Sequence, residues 1–141
     1  MILSVVRYLV LALTALRLAR FVTTDKLGEW TIAGPLVHWA WRREGLAHVD
    51  HPGAQQQLRE WEPGASPLPL PDPTWGWRSK LVNGLDCGYC LTPWLSGALI
   101  VGEATVGRIP VVKQLWRLVT VTLAASYVLG HVWARMDKPK D

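Results

Sequence analysis

A chain of 141 residues suits one compact unit, and with half of those residues apolar it is not a disordered tail and fits insertion into a bilayer. Its formal charge of +4 does not read as a nucleic-acid footprint, because the Lys and Arg residues form no dense stripe and collect beside the apolar runs. Two cysteines three residues apart exclude a disulfide framework, and nine tryptophans exceed what a core this small uses, whereas bilayer interfaces are their usual home.

The first apolar run, Ile2 to Ala19, predicts a helix over 2–20. About 18 residues at ~1.5 Å each give ~27 Å, close to a hydrocarbon core. A cleaved signal peptide carries positive charge before its apolar stretch; here Arg17, Arg20 and Lys26 follow it, so the run reads as a retained span. The polar segment 26–86 comes next. Within it GPLVHWAWRREG (34–45) predicts a short interfacial helix, with Pro35 near its start and Gly45 as its stop. AQQQLREWE (54–62) predicts a second short helix, offering Leu58 and Trp61 to a neighbour. Prolines at 67, 69, 71 and 73 then favour an extended strap over helix or sheet. Two further apolar runs predict helices over 89–107 and 115–134, followed by a charged tail, 135–141.

The expected fold is therefore an all-α membrane protein, one membrane domain over 1–141 with three transmembrane helices and a long cytoplasmic insert. Orientation follows from charge. The 17–86 segment and the tail hold eleven Lys and Arg, and the short 107–114 connection holds only Arg108 and Lys113. That asymmetry places the N-terminus outside and the C-terminus in the cytoplasm. Arg7, Glu103 and Arg117 then fall at similar depth near the outer side. An unpaired charge at the bilayer centre costs ~2.5 to 3.5 kcal/mol, so a cluster in which Arg7 or Arg117 satisfies Glu103 is the economical arrangement; snorkelling arginines are the alternative. Small residues four apart, Ala15 and Ala19, Ala98 and Gly102, Ser126 and Gly130, favour close helix packing or an oligomer.

LDCGYCLTPW (85–94) is the one pattern with reactive side chains. Cys87 and Cys90 lie at the cytoplasmic start of the second span, where a structural disulfide is not expected. Three readings remain open. A Cys-x-x-Cys pair at a helix N-terminus supports thiol exchange, although no βαβ pattern accompanies it. Zinc is the second, with His48 and His51 completing a four-ligand set across a 35-residue loop longer than a compact finger uses. The third is packing, with Pro93 in the first turn and Trp94 at the interface.

RLARFVTTDKLGEW (17–30), followed after an insert by DCGYCLTPW and a final apolar helix, resembles a family of small integral membrane proteins of unknown function from bacteria and actinobacterial phages. The matching positions are Arg17, Arg20, Asp25, Cys87, Cys90 and Trp94. The resemblance implies a bacterial or host inner membrane and assigns no reaction; His48 and His51 lie outside its pattern. Arg17 and Arg20 leave the first helix on the side where Asp86 and the cysteines enter the second, which suggests a polar clasp to Asp86 or to lipid phosphate. No Ser-His-Asp set, carboxylate pair or phosphate loop is discernible, so a non-enzymatic protein acting through helix packing, a homo-oligomer or a membrane partner is expected, with no cofactor unless zinc binds. A holin-like pore of phage lysis shares the small size and charged tail, and a membrane thiol or zinc protein is the further alternative.

Overall fold

The computed structural model describes residues 2–45, 56 and 69–136, and among these the chain is helical, with no strand. It forms two compact units: Met1–Ala19 with Thr92–Asp141, and Arg20–Leu91. His48, His51, the expected 54–62 helix except Gln56, the first part of the Pro-rich stretch and the last five residues of the tail lie outside the described residues.

The first unit is built from α1 (Ile2–Thr23), α5 (Gly88–Thr105) and α6 (Pro110–Met136), the first two shared in sequence with the second unit. No Gly or Pro interrupts α1. Pro110 opens α6 at a position where a missing N–H costs nothing, and the Ile109 carbonyl accepts the Lys113 N–H at 2.8 Å, so this helix starts earlier than residue 115. Pro93 lies inside α5, in its second turn rather than its first, where it removes the bond that an N–H would give to the Tyr89 carbonyl. Leu11, Ala15 and Leu99 make the interior, with Leu18, Leu95 and Trp116 packed around them. Thr14 is fully buried, and its hydroxyl lies 2.7 Å from the Val10 carbonyl and 2.8 Å from the Thr120 carbonyl, linking α1 to α6 through a shared proton.

Two helices are long and apolar enough to cross a membrane: α1, with 22 residues, and α6, with 27. At ~1.5 Å per residue they reach ~33 and ~40 Å. Both are largely uncovered by protein, with 22% and 11% of their most apolar windows buried. Leu3, Leu9, Leu115, Leu118 and Leu129 are among the exposed side chains.

The second unit winds continuously from α2 (Lys26–Gly28) through a π-helical turn, Glu29–Ala33, into α3 (Gly34–Ala40) and a second π-helical turn, Trp41–Gly45. The helix expected from residue 34 thus begins at Lys26. Pro35 does not stop it, because the preceding wide turn already carries the Gly34 N–H to the Glu29 carbonyl, five residues back, and accommodates a residue without a donor. Gly28 is required for close approach: a Cβ there would lie 1.6 Å from the Phe21 carbonyl oxygen. Opposite α3 runs α4 (Trp77–Asp86). Val37, Ala40, Trp41 and Val82 form the core between them, closed by Leu36, Trp39, Leu70 and Trp75. The Trp41 indole N–H donates to the Pro69 carbonyl at 2.8 Å, and the Asn83 amide donates to that of Pro71 at 2.7 Å, so the proline segment supplies acceptors it cannot use for secondary structure.

Candidate functional site

Three polar centres stand out, and only two of them were among the positions singled out from sequence. The first joins α1, α5 and α6. Arg7 forks onto Glu103: its Nε donates to Oε1 at 2.9 Å, and Nη2 donates to Oε2. The Trp116 indole N–H donates to the same Oε2 at 2.7 Å, and Arg7 Nη1 reaches Thr120 Oγ1 at 3.3 Å. Planar guanidinium and carboxylate match in this geometry, and each added donor satisfies a lone pair that burial would otherwise leave empty. Arg117 is exposed and lines the same open cavity of about 590 Å³ as Arg7 and Glu103, while the guanidinium hydrogen bonds to the carboxylate come from Arg7. Gly102 lies under the Trp116 ring, which occupies the space a side chain would need.

The second centre is Glu44. Its carboxylate lies against the start of α4, where the amide of Arg78 donates to Oε1 at 3.1 Å and the amide and hydroxyl of Ser79 donate to Oε2 at 2.9 and 2.7 Å. Gly76, the cap residue, has no side chain to do this, and a Cβ there would sit 2.5 Å from the Glu44 carboxyl carbon. Glu44 is therefore a cap supplied from 34 residues away, and its negative charge complements the positive end of the α4 dipole. Burial opposes the charge, but the Ser79 and Arg78 hydrogen bonds together with the Arg78 guanidinium hold the carboxyl below its ordinary range. Arg78 itself lies 4.8 Å from the Trp77 ring centroid and 5.3 Å from that of Trp39, and its buried Nε has no hydrogen-bond acceptor among the described residues. Trp39 meets Trp77 edge-on at 5.5 Å, and Trp41 meets Trp75 likewise at 4.9 Å.

The cysteines form the third. Cys87 has extended backbone angles and its carbonyl accepts the Leu91 N–H at 3.0 Å, so it is the cap of α5; its Sγ accepts the Cys90 N–H at 3.3 Å. A sulfur thus does what Ser or Asp oxygen usually does at this position. The Cys90 thiol and amide, then the Tyr89 amide, hold the Cys87 thiol below its ordinary value against partial burial and the Asp86 charge. Cys87 is half-buried, Cys90 exposed, and neither is in a disulfide.

Of the remaining positions, Arg17 is half-buried near the end of α1 and Arg20 is exposed, its carbonyl accepting the Thr24 amide at 2.9 Å. Asp25 caps α2 with its backbone, its carbonyl accepting the Glu29 N–H at 2.9 Å. Asp86 ends α4, where burial pushes its carboxyl up. Trp94 is 80% exposed. Among the described residues no three His, Cys, Asp or Glu side chains gather as a metal site. Glu44 was not legible as a functional residue, since nothing in WRREG announces a partner so far along the chain. No protein-family model, curated protein or solved structure matches this chain.

Proposed function

We propose that the chain is a small multi-pass integral membrane protein that acts through helix packing and a membrane-embedded partner rather than through catalysis. The carrying observation is that α1 and α6, the two helices of spanning length, leave most of their apolar surface uncovered by protein. A core helix of a water-soluble fold hides that surface; lipid covers it here. In this reading α5 is the third span, and Arg7 on Glu103 resolves the one acidic charge it carries. The Lys and Arg distribution supports an outside N-terminus and a cytoplasmic C-terminus in a bacterial or host inner membrane. Ser126 and Gly130 are exposed on α6, with nothing within 4 Å of a Cβ at 130, an open small-residue face suited to another helix or a second copy.

Cys87 and Cys90 make the test convenient, because both mark one end of α5. Membranes from expressing cells are washed with alkaline carbonate, and thiols are labelled with a membrane-impermeant maleimide in spheroplasts and in inverted vesicles. Retention in the carbonate pellet and labelling only in inverted vesicles are expected. Release into the supernatant refutes the membrane reading; labelling in spheroplasts refutes the orientation.

A second reading, a membrane dithiol, is favoured by the accessible Cys90 beside a Cys87 whose thiol is shifted toward the thiolate. It predicts faster alkylation at Cys87 than at a free thiol at neutral pH, and equal rates would remove it.

A further inference from the structure

The second π-helical turn, Trp41–Gly45, divides the charges of the WRREG stretch between two sides. Glu44 turns inward, 7% exposed, and both of its oxygens are engaged by α4. Arg42 and Arg43 stay exposed. His38, near the end of α3, and Arg42 and Arg43, in the turn, come to a common side. The result is an open cavity of about 330 Å³ walled by Pro35, His38, Trp39, Arg42 and Arg43. Two guanidinium groups and an imidazole line it, and among the described residues no carboxylate does.

The acid adjacent in sequence would ordinarily offset this charge; its role as the cap of α4 removes it. Trp39 gives the cavity one firm wall, since its ring is held edge-on by Trp77 and faced by Arg78. Paired planar guanidinium groups beside an aromatic face match a phosphate that carries an apolar or glycerol substituent. The turn itself belongs to a class that is rare in helices and recurs at functional sites.

We propose that this cavity binds a phosphate ester, with the headgroup of an anionic phospholipid as its source. The proposal rests on the membrane reading above, and it gives the interfacial helix expected over 34–45 a ligand. Arg42 and Arg43 clamp the phosphate oxygens, and Trp39 packs against the glycerol and the first carbons of the chains.

Full-length protein in neutral detergent is titrated with dioctanoyl phosphatidylglycerol, dioctanoyl phosphatidylcholine and, separately, inorganic phosphate, with bound ligand counted by native mass spectrometry. One phosphatidylglycerol is expected to bind saturably, ahead of phosphatidylcholine. Arg42→Gln with Arg43→Gln is expected to weaken it about tenfold or more, and Lys at both positions to retain part of the affinity. Both residues are exposed, so far-UV circular dichroism should be unchanged. If inorganic phosphate alone binds with the same Arg dependence, the phosphate site stands and its source is the free anion. Equal binding by wild type and the Gln variant, or no binding of any phosphate, overturns it. Carbonate extraction of the same variants reads membrane insertion separately, so a chain that stays in the membrane without Arg-dependent binding defeats the site alone.

Discussion

The Arg7–Glu103 pair predicts a strong and asymmetric coupling between α1 and α5. The two side chains are 19% and 26% exposed, so the pair lies between the solvent-exposed case, ~0.2 to 1 kcal/mol, and the fully buried case, where stranding one charge costs ~3 to 5 kcal/mol. Glu103→Gln keeps an oxygen for the Trp116 N–H and loses the charge-assisted fork, for an expected cost of ~2 kcal/mol. Arg7→Met leaves the carboxylate with the Trp116 donor only and also ends the Thr120 contact, for ~2 to 3 kcal/mol. The double variant strands no charge, so its cost should fall short of the sum by ~1 to 2 kcal/mol. Reversible unfolding in mixed detergent, followed by circular dichroism, measures all four corners of the cycle. Exchange of the two residues, Arg7→Glu with Glu103→Arg, should not restore stability, because the Trp116 N–H would then face a guanidinium that cannot accept it. Additivity within ~0.5 kcal/mol, or full rescue by the exchange, refutes a network centred on Glu103.

Other outcomes follow from the second unit and the cysteines. Glu44 has a folded pKa below its ordinary value of 4.5, so the stability it contributes is present above pH ~4.5 and is lost as pH falls through the lower folded value. Tryptophan fluorescence of Trp41 and Trp75 during acidification should show that loss, and Glu44→Gln should destabilise at neutral pH while flattening the acid dependence. Gly76→Ala should resemble Glu44→Gln, since its Cβ must displace the carboxylate; an unchanged acid profile would contradict the remote cap. Val37→Ala, at a site with no exposure, should cost about 2 kcal/mol in denaturant unfolding, and a cost under ~0.5 would mean the α3–α4 core is not packed as described. Cys87→Ser should preserve the start of α5 because its oxygen can accept the Cys90 N–H, whereas Cys87→Ala should lower thermal stability; equal effects would refute the sulfur cap.

The apolar runs located α1 and α6 because burial in lipid or protein needs only a long stretch of Leu, Val and Ala, which composition alone reveals. Their ends were less legible: Pro110 starts α6 as a residue that needs no donor, yet a proline beside Ile109 also reads as a loop. Arg7, Glu103 and Arg117 were recognisable as a group because charge in an apolar run demands compensation; the choice of Arg7 as the forked partner depends on rotamers and helix rotation that no spacing encodes. The helix at 77–86 was not anticipated at all. Gly76 offers no capping oxygen and Gly84 interrupts the run, so local rules disfavour a helix there.

Glu44 caps α4 from outside the helix, and this contact links the fold of the second unit to its surface charge. The same rotation of the Trp41–Gly45 turn that delivers a carboxylate to the Arg78 and Ser79 amides leaves Arg42 and Arg43 without that acid beside them. Stability and a cationic surface are consequently products of one backbone feature. A substitution that restored regular α-helical winding through Trp41–Gly45 should uncap α4 and reposition Glu44 toward the arginines, weakening the fold and the phosphate site together. Deleting one residue within the turn is the direct perturbation. Loss of anionic-lipid binding with α4 intact, or loss of α4 with binding intact, would separate the two and show that they arise from different features.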